Sequence, residues 1–107
     1  MLFDTRVLGV GDWEVLNVVG DLDLASLPML RQGLDRISGP RTALDLSGVD
    51  HLDPVSLGAV LLGALRAVRT GGRFVVVVPD GPARDLLAET GVDRIVEVVA
   101  DRAALER

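Results

Sequence analysis

The side chains of this chain that could carry chemistry are concentrated in residues 45–58. A serine and the single histidine, Ser56 and His51, could in principle form a nucleophile and base pair, but this spacing arises easily by chance. The chain has no cysteine for thiolate catalysis or zinc binding, and one histidine cannot form a metal cluster by itself. The sequence therefore predicts no catalytic residue, no cofactor and no metal, so we expect a protein that is not an enzyme. The stretch also holds three carboxylates: Asp45, Asp50 and Asp53.

Charge and glycine patterns exclude two further classes of ligand. The 16 acidic residues outnumber the 11 basic ones, all arginine, and the formal net charge is −5. A nucleic-acid partner is not expected, because phosphates require a basic face. The loop glycines Gly48 and Gly58 lack the lysine of a phosphate-binding loop. No apolar run approaches 18 residues and the first residues do not resemble a secretion signal, so we expect a cytoplasmic protein without membrane insertion.

The composition is that of one globular domain spanning residues 1–107. Hydrophobic residues make up 49% of the chain, but there are only one Trp and two Phe. The core must therefore be built from Leu, Val, Ile and Ala, which favours parallel strands packed under helices.

The first half of the chain predicts a hairpin, a helix and a buried strand. Apolar runs at 7–10 and 13–19 flank Gly11-Asp12, a pair suited to a tight hairpin turn, and Gly20–Leu24 is interpreted as a turn with solvated carboxylates. Residues 42–46 form a short strand, in which a buried Asp45 needs a partner, followed by a polar loop. Between the turn and this strand, a helix after Ser26 is indicated by an apolar stripe that ends before Gly39-Pro40: Leu27, Leu30, Leu34 and Ile37.

The second helix is predicted from Pro54 to Val68. Asp53 is a strong N-cap, and Pro54 suits the first helical turn, where its missing N–H costs nothing. A glycine of Thr70-Gly71-Gly72 ends the helix in the left-handed conformation. The predicted buried stripe comprises Leu57, Val60, Leu61, Ala64, Leu65 and Val68.

The last third predicts a strand at 74–78, a short helix closed by Gly91, a strand at 95–99 and a helical turn capped by Asp101. The order is ββαβαβαβα. This alternation predicts an α/β fold with a mixed, mostly parallel sheet, an N-terminal antiparallel hairpin at one edge and helices packed on the sheet.

Three segments, Gly20–Leu24, Ala43–Val49 and Asp53–Gly58, together resemble the STAS domain family, the anti-sigma factor antagonists of bacteria. The resemblance extends over nearly the whole chain, from the hairpin to Gly71-Gly72-Arg73. It implies a non-catalytic module that binds an anti-sigma factor, itself a kinase, and so frees a sigma factor. In that family, phosphorylation of the domain at the start of the second helix blocks the binding. The residues that the resemblance assigns to the partner surface are Asp21, Asp23, Asp53, Pro54, Val55, Ser56, Leu57 and Gly58.

The chain departs from the family at the phosphoacceptor. The family pattern is Asp-Ser-Ser/Thr-Gly-Leu-Gly, and the position two residues after Asp53 is here Val55, which has no hydroxyl. Ser56 is the possible substitute, but one step along a helix turns the side chain by about 100° and moves it ~1.5 Å. We therefore expect docking that is not switched at the usual position.

Two alternative functions remain open at this point. One is a STAS subunit of an ABC lipid-transport complex, and the other is a sensor of small ligands such as nucleotides or fatty acids. The oligomeric state expected is a monomer or a weak homodimer, since the hairpin edge could pair with a second copy.

Overall fold

The computed structural model describes residues 3–106, and in this range five strands form one sheet in the order β1-β2-β3-β4-β5. β1 pairs antiparallel with β2, and the remaining neighbours pair in parallel. The predicted mixed sheet with an antiparallel hairpin strand at one edge is thus confirmed. The strands are β1 Asp4–Val10, β2 Trp13–Leu22, β3 Arg41–Leu52, β4 Arg73–Val77 and β5 Glu97–Val99.

Two strands are longer than the sequence predicted. β2 continues through Gly20 to Leu22, so the proposed turn at Gly20–Leu24 was wrong over its first three residues. β3 has 12 residues rather than five, and most of the predicted polar loop is strand. The extensions support each other, because Leu22 pairs with Leu52 in parallel register. The pairing passes two register shifts, and the Cα of Gly48 lies so close to β2 that an added Cβ would be 3.0 Å from the Val18 carbonyl oxygen.

Three α-helices lie in the described part of the chain: α1 Leu27–Asp35, α2 Leu57–Arg69 and α3 Pro82–Glu89. Short 3₁₀ turns precede α2 and follow α3 and β5. The predicted glycine stops are confirmed, since Gly71 and Gly91 adopt φ angles of 73° and 79° after α2 and α3. The last strand is shorter than predicted, because Ile95 belongs to the turn before β5 and is exposed.

The sheet separates two clusters of buried side chains. All three helices contribute to the larger cluster, on the face that carries Leu16, Leu44 and Val76. The smaller cluster lies on the opposite face, beneath the 3₁₀ turn Arg102–Glu106. It consists of Trp13, Val15, Ala43, Val75, Val77 and Leu105.

The predicted stripe of α2 is confirmed over its first part, since Leu57 and Val60 are buried and Leu61 and Ala64 pack against the core. Leu65 and Val68, expected to be buried, are 46% and 72% exposed. The helix instead turns small residues toward the sheet: Ala59 is buried, and a Cβ added at Gly63 would lie 3.0 Å from the Phe74 ring. With these small residues against the sheet, the side chains of Leu62, Leu65 and Val68 lie on the outer side of the helix.

Within residues 3–106, the helices are too short or too polar to cross a membrane.

Candidate functional site

The junction between β3 and α2 is built by a capping turn, as the sequence predicted. The Asp53 side chain accepts a hydrogen bond from the Val55 amide at 2.9 Å, while the Asp53 carbonyl accepts from the Ser56 amide at 2.9 Å. Pro54 occupies the first position of the 3₁₀ turn Pro54–Ser56 that leads into α2. This geometry fixes the direction in which the next side chains leave the turn.

The turn is attached to β2 through a single carbonyl group. The Leu22 carbonyl accepts one hydrogen bond from the Asp53 amide at 2.9 Å and a second from the Ser56 hydroxyl at 3.0 Å. Ser56 has no exposed surface. Its hydroxyl is therefore a structural hydrogen-bond donor, which removes the group on which a serine hydrolase with His51 would depend.

The loop between β2 and α1 lies beside this junction because Leu22 and Leu52 are register partners. Asp23 and Ser26 hydrogen-bond reciprocally: the Ser26 amide donates to Asp23 Oδ1 at 3.1 Å, and the Asp23 amide donates to Ser26 Oγ at 3.0 Å. The Ser26 hydroxyl also donates to the Asp21 carbonyl at 2.9 Å. The structure thus brings the predicted carboxylates of Asp21, Asp23 and Asp53 to the same edge of the sheet.

The predicted partner surface divides into an outer and an inner part. Val55 is 56% exposed, and Pro54 and Gly58 are exposed beside it. Ser56 and Leu57 point into the core instead and cannot touch a partner without rearrangement. Asp21, Asp23 and Asp53 are half-buried.

α2 carries further exposed aliphatic residues that sequence reasoning missed. Leu62, Leu65 and Val68 lie on its outer surface and continue from the turn that carries Val55. The signal that could have revealed them is the spacing of Ala59, Gly63 and Ala67. Small residues every four positions mark the side of a helix that lies close to its neighbour.

Asp45 lies on the other face of the sheet and is almost completely buried, with 1% of its surface exposed. Its carboxylate accepts hydrogen bonds from the amide and hydroxyl of Ser47 and pairs with the Arg102 guanidinium. Arg102 also donates to Asn17 Oδ1 at 2.8 Å. The prediction that a buried Asp45 requires a partner is confirmed, and the residue belongs to the sheet rather than to the α2 junction.

An open cavity of about 390 Å³ lies between the end of β3 and the start of α3. Its lining includes four carboxylates and no arginine, a charge distribution that repels phosphate and carboxylate ligands. Among residues 3–106, no group of three or more His, Asp or Glu side chains could hold a metal ion. The four carboxylates that line the cavity belong to Asp50, Asp80, Asp85 and Glu89.

Comparison with protein families identifies the domain. A family model described as Mlab, STAS domain, matches residues 9–98. The chain belongs to the STAS domain family. In this STAS domain, the match covers β2 to β4 and all three α-helices, together with the last two residues of β1 and the first two of β5. No curated protein matches the sequence significantly.

Solved structures share the fold at low sequence identity. An anti-sigma factor antagonist from Mycobacterium paratuberculosis is 24% identical with a TM-score of 0.88, over 96% of this chain and 90% of that chain. The Bacillus cell fate determinant SpoIIAA in its phosphorylated form is 15% identical with a TM-score of 0.71, over 99% of this chain and 98% of that chain. The unphosphorylated form of SpoIIAA is likewise similar, with 17% identity and a TM-score of 0.71, over 99% of this chain and 95% of that chain. These similarities establish the α/β fold of the STAS domain.

Proposed function

We propose that this STAS domain is a non-catalytic regulatory module that docks on an anti-sigma factor or a related ATPase in the cytoplasm. The observation that carries the proposal is the exposure of Val55 at the first turn before α2. An aliphatic side chain held at a rigid helix start gives a partner an apolar contact. The Asp53 carboxylate caps the same turn, and Asp21 and Asp23 lie at the neighbouring end of β2.

This arrangement has the anatomy of a protein interface, with an apolar centre and a polar rim. Leu62, Leu65 and Val68 extend the apolar surface along α2. The structural relatives named as anti-sigma factor antagonists support the choice of partner class.

The proposed docking is constitutive. Val55 cannot be phosphorylated, and the Ser56 hydroxyl is enclosed and donates to the Leu22 carbonyl. A phosphate on Ser56 would add about −1.5 to −2 charge to a site without solvent access, so it would disrupt the junction before it could signal. We therefore infer that regulation acts on the partner or on the abundance of this domain.

A permanent subunit of an ABC lipid-transport complex is the second candidate. The exposed aliphatic residues along α2 favour it, because permanent interfaces are larger and more apolar than transient ones. The absence of an accessible hydroxyl at Val55 and Ser56 suits a contact that is never released. A small-ligand sensor for nucleotides or fatty acids is not favoured, because the cavity near α3 is lined by carboxylates.

The proposal is tested by Val55→Asp in the full chain, with Ile95→Asp as the matched control. Both substitutions place a charge on an exposed aliphatic residue, and each should change the free energy of unfolding by less than ~0.5 kcal/mol. Affinity purification from the native host should recover a kinase-like ATPase with the wild type and with Ile95→Asp. Recovery should fall at least tenfold with Val55→Asp.

Three results would redirect the proposal. Equal recovery of the ATPase by all three proteins would remove Val55 from the interface. Co-purification of a permease with an ABC ATPase would select the second candidate. Stoichiometric phosphate on Ser56 after incubation with the partner and ATP would show that the domain is switched after all.

A further inference from the structure

The chain after β5 crosses the second face of the sheet as a short segment, Arg102–Glu106, which we call the C-terminal strap. It begins with a capping turn, in which the Asp101 carboxylate accepts a hydrogen bond from the Ala103 amide at 2.9 Å. Arg102 and Leu105 point toward the sheet, whereas Ala103 and Glu106 are exposed. Two side chains therefore account for most of the attachment.

The arginine of the strap is bound by polar residues of two strands. The Arg102 guanidinium pairs with the buried carboxylate of Asp45 on β3 and donates to Asn17 on β2. Asp45 keeps the amide and hydroxyl of Ser47 as partners whether or not Arg102 is in place. Loss of the strap would admit water to the carboxylate rather than leave it without any hydrogen bond.

The leucine of the strap is held by an apolar surface and one specific hydrogen bond. Leu105 is buried in the cluster formed by Val15, Val75 and Trp13. The Trp13 indole N–H donates to the Leu105 carbonyl at 2.8 Å. Leu105 follows Arg102 by three positions, so this apolar contact lies one turn of the strap beyond the ion pair.

We propose that the strap is displaceable and covers a peptide-binding surface on the second face of the sheet. The surface accepts a segment of a partner protein in which an arginine is followed three residues later by leucine or a similar aliphatic residue. The strap defines this chemistry, since Asp45 and Asn17 select the arginine while Trp13 and its apolar neighbours select the leucine. The proposal is independent of docking at α2.

An attached strap competes with any such segment at a high effective concentration, of the order of millimolar for short connections. Weakening the strap should therefore make the surface available to an added peptide. The full-length double variant Arg102→Ala/Leu105→Ala removes both side-chain contacts to the sheet and keeps the hydrogen bond from Trp13 to the backbone carbonyl of residue 105. Trp13 is the sole tryptophan of the chain and reports on the surface directly.

In the double variant, we expect the acrylamide quenching constant of Trp13 to rise about threefold while the far-UV circular dichroism stays unchanged. A peptide with the sequence of residues 100–106 should return quenching to the wild-type value at millimolar concentration. The same peptide with alanine in place of its arginine is the matched control and should have no effect. Unchanged quenching in the variant, or equal effects of the two peptides, would overturn the proposal.

Hydrogen exchange of the wild type decides the question if the double variant unfolds. Release of the strap alone predicts that the Trp13 indole N–H exchanges about 100-fold faster than the amides of Val75 and Val76 in β4. Equal rates would show that the strap opens only when the whole domain unfolds, which would overturn the proposal. If Trp13 stayed shielded in a dimer that forms with rising protein concentration, the choice of occupant would be overturned. The surface would then bind a second copy of this chain rather than a segment of a partner protein.

Discussion

The two faces of the sheet are covered by different kinds of structure. One face lies under α1, α2 and α3, and its cluster of buried residues includes side chains from every helix. The opposite face is covered, in the described part of the chain, by the C-terminal strap and the ion pair between Asp45 and Arg102. The helix face therefore carries most of the stability, while the strap face depends on a few specific contacts.

The comparison also bears on the proposed docking surface. The exposed turn at Val55 follows β3, whose Leu44 and Leu46 are buried on the helix face. Because the turn at Val55 is connected to the larger cluster, we expect its geometry to be kept when contacts on the strap face open. The strap face has the opposite property under the proposal above, in which the strap opens while the rest of the domain stays folded.

The largest effect is expected from Leu44→Ala, which removes a fully buried side chain from the helix face. We expect a loss of about 2–5 kcal/mol in the free energy of unfolding, because the helices cannot move in to fill the cavity. Equilibrium urea denaturation measures the change. A loss of less than ~1 kcal/mol would contradict the view that this face carries the stability.

A sharper test compares two neighbouring valines of β4. Val76 is buried on the helix face and Val75 on the strap face, and both are at most 1% exposed. We expect Val76→Ala to cost about 2 kcal/mol and Val75→Ala about 1 kcal/mol, because the strap can settle onto the smaller residue. Equal costs in the same urea titration would mean that the two faces are packed equally tightly.

The smallest effect is expected from Trp13→Phe, which keeps an aromatic ring but removes the hydrogen bond to the Leu105 carbonyl. The loss should be about 1 kcal/mol, the net value of one hydrogen bond. Differential scanning calorimetry detects it as a lower Tm. In Arg102→Ala/Leu105→Ala, where the strap is weakened, the same substitution should cost less, and an unchanged cost would separate Trp13 from the strap.

Local sequence signals predicted the elements whose ends are set by one or two residues. Gly11-Asp12 predicted the hairpin, Asp53-Pro54 the capping turn, and Gly71 the end of α2, because capping and left-handed backbone are local properties. The α-helix itself begins at Leu57 rather than at the predicted Pro54, since residues 54–56 form a 3₁₀ turn. The length of β3 was missed for the opposite reason. The polar sequence around His51 is typical of a loop, but in the structure it pairs with β2 as a parallel strand.

In the candidate site, too, local features were predictable and features that depend on distant residues were not. The cap at Asp53 was predictable, whereas the burial of Ser56 was not, since its hydroxyl donates to a carbonyl 34 residues away in the chain. The burial predicted for Leu65 and Val68 was wrong, because the predicted stripe assumed that these aliphatic residues face the core as Leu57 does. The close approach at Gly63 reverses that assumption for Leu65.

The Leu22 carbonyl has a consequence for the thermodynamics of binding. Because it accepts from both Asp53 and Ser56, the turn that presents Val55 is already ordered in the free domain. A partner that docks there does not have to spend interaction energy on immobilising the backbone. Association should therefore approach rigid-body docking, with little change in the backbone of this domain between its free and bound states.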